Sequence, residues 1–179
     1  QISSVCIDSG GHFTTEVYRF TKPRESRRIY SIRGRGGVGL PFIGKPSNNN
    51  RVGAMLFNLG VDDGKGTIMA RIKLHDPGPG YMHFPLDSDR GYDTEYFKGL
   101  LSEKKIFEYK NGQTKEKWVK VYERNEPLDC RNYATAAMEI LNPNFNWLAE
   151  QEMRGNVYVQ NSSGIRRRRR RVISKGVTI

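Results

Sequence analysis

The strongest constraint on this chain is the order in which two kinds of apolar pattern alternate along it. Short runs at residues 5–8, 28–33 and 55–61 are rich in β-branched and aromatic side chains, and the first and last end in an acid, Asp8 and the Asp62-Asp63 pair. At that length they read as strands. Residues 13–20 resume β-branched and aromatic content after the turn Ser9-Gly10-Gly11-His12, so 5–8 and 13–20 are expected to pair as an antiparallel hairpin. A different spacing follows. Ile68, Met69, Ile72 and Leu74 suggest a short helix, and Tyr96, Phe97, Leu100 and Leu101 recur at helical intervals behind Asp93, which predicts a helix over 94–103. The clearest helical stripe is Tyr133, Ala136, Ala137, Ile140 and Leu141 in 129–141, which opens on an acid as a helix N-terminus favours. Between them, 105–109 and 117–122 flank Asn111-Gly112, a dipeptide suited to a tight hairpin turn. Strands interleaved with helices predict an α/β fold, a mixed β-sheet flanked by helices.

A chain of 179 residues suits one domain with a tail. The boundaries expected here are 1–150 for the domain and 151–179 for a basic C-terminal tail. Gln1 leads almost directly into a strand-like run, so the sequence reads as a piece of a longer protein. No apolar run approaches the roughly 18 residues of a membrane span and no signal-peptide pattern opens the chain, so no membrane partner is expected. Two cysteines, Cys6 and Cys130, are too few for a disulfide framework and lack the spacing of a zinc site; they read as buried small apolar residues in a reducing interior. His75 and His83, in Pro and Gly loop, have no third soft ligand beside them and read as surface residues.

The 30 Lys and Arg outnumber the 19 Asp and Glu for a formal charge of +11, which favours a polyanionic partner. Arg33, Arg35 and Lys65 sit near the acid-bearing segments, Lys105 and Lys117 stud the predicted hairpin, and Arg166, Arg167 and Arg168 begin a run of six arginines. These are the candidate nucleic-acid contacts. The arginine run has two readings, a DNA-holding segment or a dock for an acidic protein patch.

Asp8, Asp62 and Asp129 each stand at the end of an apolar element. Singly, each is explained as a turn or helix cap. Together they suggest one site, where carboxylates about 4 Å apart would repel by roughly 4 kcal/mol at an effective dielectric of 20. Divalent cations would offset that repulsion, and so would neighbouring Lys or Arg. Gly34-Arg35-Gly36-Gly37-Val38-Gly39 lacks the Gly-Lys-Ser/Thr ending of a P-loop and opens the long irregular stretch 34–50, expected to be a functional loop.

Three blocks carry a family likeness. Ile7-Asp8-Ser9-Gly10-Gly11-His12 with Val17-Tyr18 and Ile32-Arg33-Gly34, then Gly60-Val61-Asp62 with Lys65, then Leu128-Asp129-Cys130-Arg131-Asn132-Tyr133-Ala134, resemble in order the nuclease domain of lambdoid terminase large subunits. The resemblance implies an RNase H-like fold that cuts double-stranded DNA with two divalent ions, Mg²⁺ or Mn²⁺. Asp8 would bridge both ions, Asp62 and Asp129 would each complete one, and His12 would lie near the scissile phosphate, although a plain turn histidine fits as well. Asp63, where the family usually has a small hydroxyl residue, makes either Asp62 or Asp63 the second ligand. The implied setting is viral genome packaging in the cytoplasm of an infected bacterium, with the portal protein and the terminase small subunit as further partners. Two other readings stay open, a non-catalytic DNA-binding or portal-docking module and a strand-transfer or junction-resolving enzyme on the same fold.

Overall fold

A computed structural model describes residues 2–86, 88–110, 112–153, 160–161 and 164–165. The chain divides into two compact units at the step between residues 141 and 142. The first opens with strand β1 (Val5–Asp8), helix α1 (Thr14–Thr21), a 3₁₀ turn (Lys22–Arg27) and strand β2 (Ile29–Arg35). After a long loop come strand β3 (Leu56–Gly60) and helix α2 (Val61–Ile72), then helix α3 (Thr94–Leu100), strands β4 (Glu103–Lys110) and β5 (Gln113–Lys120), and helix α4 (Glu126–Leu141). In the second unit the described elements are helix α5 (Phe145–Met153) and a pair of two-residue strands, β6 (Gln160–Asn161) and β7 (Gly164–Ile165).

Strands β1, β2 and β3 form one sheet in that order, and both pairings are parallel, with Asp8 opposite Ile32 and Arg35 opposite Gly60. The hairpin expected from 5–8 and 13–20 is therefore corrected: 14–21 is a helix. Its inward residues explain why. Tyr18 and Thr21 are buried and Thr14 and Val17 half-buried, an i, i+3, i+4, i+7 pattern that only a helix puts on one face. Parallel neighbours also require a crossover, and α1 supplies it. β-Branched content pointed to a strand, but the spacing of the residues that reach the core decided the outcome.

The far edge of β3 is covered by its own preceding loop, through isolated antiparallel bridges Ile43 to Leu59 and Ser47 to Leu56. An unpaired strand edge is thereby closed. Helix α4 packs over the sheet: Ala136, with Tyr133 and Ile140 beside it, meets Ile32, Phe57 and Leu59. A second core joins Ile68 of α2, Leu100 of α3 and Leu128 of α4, with Met82. Gly64 permits the close approach of α2 and α4, since a Cβ there would overlap the Asn132 Oδ1 and the Phe42 ring. β4 and β5 form the expected antiparallel hairpin, in a register from Glu103 opposite Lys120 to Lys110 opposite Gln113, with Gly112 at φ +76° in its turn.

Three helix boundaries differ from expectation. α2 ends before Leu74, which is exposed, α3 ends at Leu100 short of the expected 103, and α4 begins at Glu126 rather than Asp129. Pro127 explains the earlier start, because its fixed φ and missing N–H suit the first turn of a helix. The α/β class stands, with parallel sheet, covering helices and a separate hairpin. Among the described residues no helix is long and apolar enough to cross a membrane.

Candidate active site

The three parallel strands all end at one edge, and in parallel sheets the crevice outside the carboxyl ends is where ligands gather. Asp8 is the last residue of β1, the glycine-rich loop leaves from the end of β2, and Asp62 is the second residue of α2 directly after β3. Helix α4 brings Asp129 to the same edge from its first turn.

Asp8 is exposed and accepts two hydrogen bonds, from Gly10 N to Oδ1 at 2.8 Å and from the Tyr133 hydroxyl to Oδ2 at 3.3 Å. The first is the local turn contact that Asp-Ser-Gly suggests. The second joins β1 to α4, because Tyr133 stands one helical turn beyond Asp129 and projects from the same face. The Tyr133 phenol is pushed well above its ordinary range, first by burial and then by the charges of Asp8 and Asp129. It stays a proton donor.

Asp129 is half-buried, and its carboxyl is raised above the usual carboxylate range. Burial is the largest cause; Lys65 opposes it, while Glu103, Asp8 and Glu126 add to it. Its Oδ2 accepts from Asn125 Nδ2 at 2.9 Å, the same amide reaches Glu103 Oε1 at 3.3 Å, and Glu103 Oε2 is paired with Lys65 Nζ at 2.7 Å. Lys65, Glu103, Asn125 and Asp129 thus form one chain of polar contacts. Glu103 and Asn125 are site residues that sequence reasoning missed. Glu103 fell at the end of the helix expected over 94–103, whereas in the structure it is the first residue of β4.

Several expected roles change. Lys65 is only 8% exposed and already paired, so it is not a DNA-facing cation; its ammonium offsets the acids around it. Asp62 does not join Asp8 and Asp129. Its Oδ2 accepts from Gly37 N at 2.8 Å, and it is not among the charges acting on Asp129. Among the described residues no three His, Cys, Asp or Glu side chains converge closely enough to hold a metal ion, so the expected three-acid cluster is not formed. One oxygen of the third carboxylate is turned toward a backbone amide of the long loop. Asp62 and Asp63 instead line a cavity of about 360 Å³ with loop residues 37–41 and with Lys105, Glu116 and Trp118 of the hairpin.

Of the remaining candidates, His12 is exposed on the turn after Asp8 and Arg35 is exposed at the end of β2. Arg33 is half-buried, with Nη2 3.4 Å from the Tyr18 hydroxyl. Lys117 is exposed, while Lys105 is held by Glu116 at 2.8 Å and lies 5.8 Å from the centre of the Trp118 ring. Arg166, Arg167 and Arg168 lie outside the described residues. Both cysteines are free. Burial pushes the Cys6 thiol up to about 12, whereas Cys130 is exposed, against the expectation that both are buried.

With this geometry in place, comparison with known proteins gives a consistent answer. Residues 1–151 match the family described as "Terminase large subunit gpA, endonuclease domain". The chain is 34% identical over 143 residues to the protein named "Terminase, large subunit" of Escherichia phage lambda, an alignment covering 78% of this chain and 22% of that relative. It is 33% identical over 145 residues to the protein of the same name from Enterobacteria phage P21, again covering 78% of this chain and 22% of the relative. The chain thus spans about a fifth of the length of the curated relatives it matches. No solved structure matches.

Proposed function

Since the chain belongs to the family of terminase large subunit gpA endonuclease domains, we propose that it is a divalent-metal-dependent endonuclease that cuts double-stranded DNA during viral genome packaging, with Asp8 and Asp129 as its central carboxylates. The observation that carries this reading is that those two acids, 121 positions apart in the chain (129 less 8), lie near enough for the charge of Asp8 to act on Asp129, with Tyr133 of the same helix bonded to Asp8.

The donor set fits a hard divalent ion. It consists of carboxylate oxygens, which Mg²⁺ and Mn²⁺ favour, and Asp129 carries a charge that burial and neighbouring acids oppose, the situation a cation relieves. Asp8 and Asp129 would hold it. When bound, such an ion supplies Lewis-acid polarisation of a phosphodiester and offsets the negative charge that grows on it during hydrolysis. The protein's own part is positional. Tyr133 fixes the Asp8 carboxylate by donating to Oδ2, Asn125 fixes Asp129, and Lys65 balances Glu103 so that Asn125 keeps its orientation. A second ion through Asp62 would use Oδ1, since Oδ2 accepts from the Gly37 amide.

An RNase H-like core belongs to the same proposal, supported by an acid on the end of a sheet strand and another on a helix packed over that sheet. The two carboxylates act alike whatever the order of strands around them. The setting proposed is the cytoplasm of the infected bacterium, with DNA, portal protein and terminase small subunit as partners.

The deciding experiment is plasmid cleavage with Mg²⁺ or Mn²⁺, with and without EDTA, on wild type and Asp8→Asn, alongside Mn²⁺ binding by calorimetry. Cutting that needs the ion and vanishes with Asp8→Asn, together with loss of Mn²⁺ binding, is the expected result. Cutting that survives either EDTA or the substitution would sink it and leave the DNA-binding module as the better account.

A further inference from the structure

The cavity beyond Asp62 has chemistry unlike that of a phosphate site. Its carboxylates are Asp62, Asp63 and Glu116, and its one ammonium, Lys105, is already paired with Glu116 at 2.8 Å. A phosphate entering there would meet repulsion. An amine-bearing group would meet acceptors, because ionised carboxylates accept hydrogen bonds and donate none. At about 360 Å³ the cavity lies in the range of small-ligand clefts, roughly 300–1,000 Å³. One wall carries an aromatic plane, Trp118.

The hairpin extends that wall. Lys105 pairs with Trp118, Phe107 with Glu116 and Tyr109 with Thr114, and side chains two apart along a strand share a face, so Trp118, Phe107 and Tyr109 lie along one side of the ribbon. Phe107 is 68% exposed and Tyr109 75% exposed. Large aromatic faces left in water in a row match the surfaces on which unpaired bases stack, with Lys105 on the same face and Lys104, Lys115 and Lys117 on the other. A duplex hides those base faces; an unpaired strand presents them.

We propose that this cavity and hairpin face bind unpaired nucleotides, with one amine-bearing base, cytosine, adenine or guanine and not thymine, seated against Trp118 and hydrogen-bonded by Asp63. The nuclease reading supplies DNA as the polymer; the choice of base comes from the cavity itself. Cytosine offers its N4 amine, adenine its N6 amine and guanine its N2 amine, whereas thymine has no exocyclic amine and presents carbonyl oxygens that carboxylates repel. Asp63, exposed at the start of α2, supplies the discrimination, while Asp62 is held by Gly37 and shapes the floor.

The chain has two tryptophans, Trp118 and Trp147, so a Trp147→Phe protein reports on Trp118 alone. In EDTA, short single-stranded oligo-dC and oligo-dA should quench its fluorescence and bind several-fold more tightly than oligo-dT or a duplex of equal length. Asp63→Asn, a surface change that leaves the core intact, should erase the preference over thymine. Trp118→Leu should weaken binding of a labelled oligo-dC roughly 10- to 100-fold by anisotropy, the range found for losing a stacked base. Equal binding of thymine, a preference that survives Asp63→Asn, or quenching by an arginine-rich peptide in place of the oligonucleotides would each overturn the assignment, the last giving the cavity to a basic protein segment. Because no ion is present, these outcomes are independent of the cleavage assay: Asp8→Asn should leave base binding unchanged whatever it does to cutting.

Discussion

Asp8 and Asp62 look alike in sequence, each an acid at the end of an apolar strand, yet they stand in opposite circumstances. Asp8 faces α4, where Tyr133 binds it and Asp129 shares its field. Asp62 faces a loop, where Gly37 N–H satisfies it and the hairpin closes a cavity over it. The contrast teaches that a strand-end acid is engaged across the fold or only locally according to what the next layer brings. Beside β1 that layer is a helix with further acids, and beside β3 it is a backbone amide and an aromatic ribbon.

The largest effect that would test the contrast is on cutting. Asp8→Asn should reduce plasmid cleavage to background, whereas Asp62→Asn, whose amide oxygen still accepts from Gly37, should retain most of it; equal losses would merge the two regions into one site. Asn125→Ala should lower cleavage or Mn²⁺ affinity by about 10- to 100-fold, the usual cost of removing a residue that orients a ligand, and Asn125→Asp should not restore it. Gly64→Ala should destabilise the fold by about 1–3 kcal/mol in urea unfolding, because the added methyl has no room between α2 and α4.

Asp129→Asn should separate stability from activity. An acid whose proton affinity is higher in the folded protein favours folding fully when protonated, below the ordinary carboxylate range, and that contribution fades as pH climbs through the raised folded value. The variant should therefore melt at a higher temperature than wild type at neutral pH, with the gap closing in acid, while losing cleavage. A lower melting temperature at neutral pH would show that the charge is well accommodated without a cation. The smallest effect belongs to the basic surface. Lys117→Ala should reduce the salt dependence of DNA binding by about one counterion, and Lys65→Met should leave that slope alone, since one ammonium is in water and the other is paired inside.

What could be read from the chain follows from interactions local in sequence. The helical stripe of 129–141, the turn at Gly112 and the strand-like run of 55–61 declare themselves because neighbouring residues a few positions apart decide backbone geometry, and the likeness of the three acid-bearing blocks pointed to the family. Residues 14–21 misled because their composition favours a strand, while the buried spacing of Thr14, Val17, Tyr18 and Thr21 belongs to a helix. Long-range pairing lies beyond such patterns. Whether an acid meets another acid, an amide or a lysine depends on which elements the packing of Ile32, Leu59 and Ala136 draws together. Tertiary structure alone put Glu103 and Lys65 beside Asp129, took Lys65 out of reach of DNA and turned Asp62 toward Gly37, because charge interactions act through space and the chain's order carries no distances.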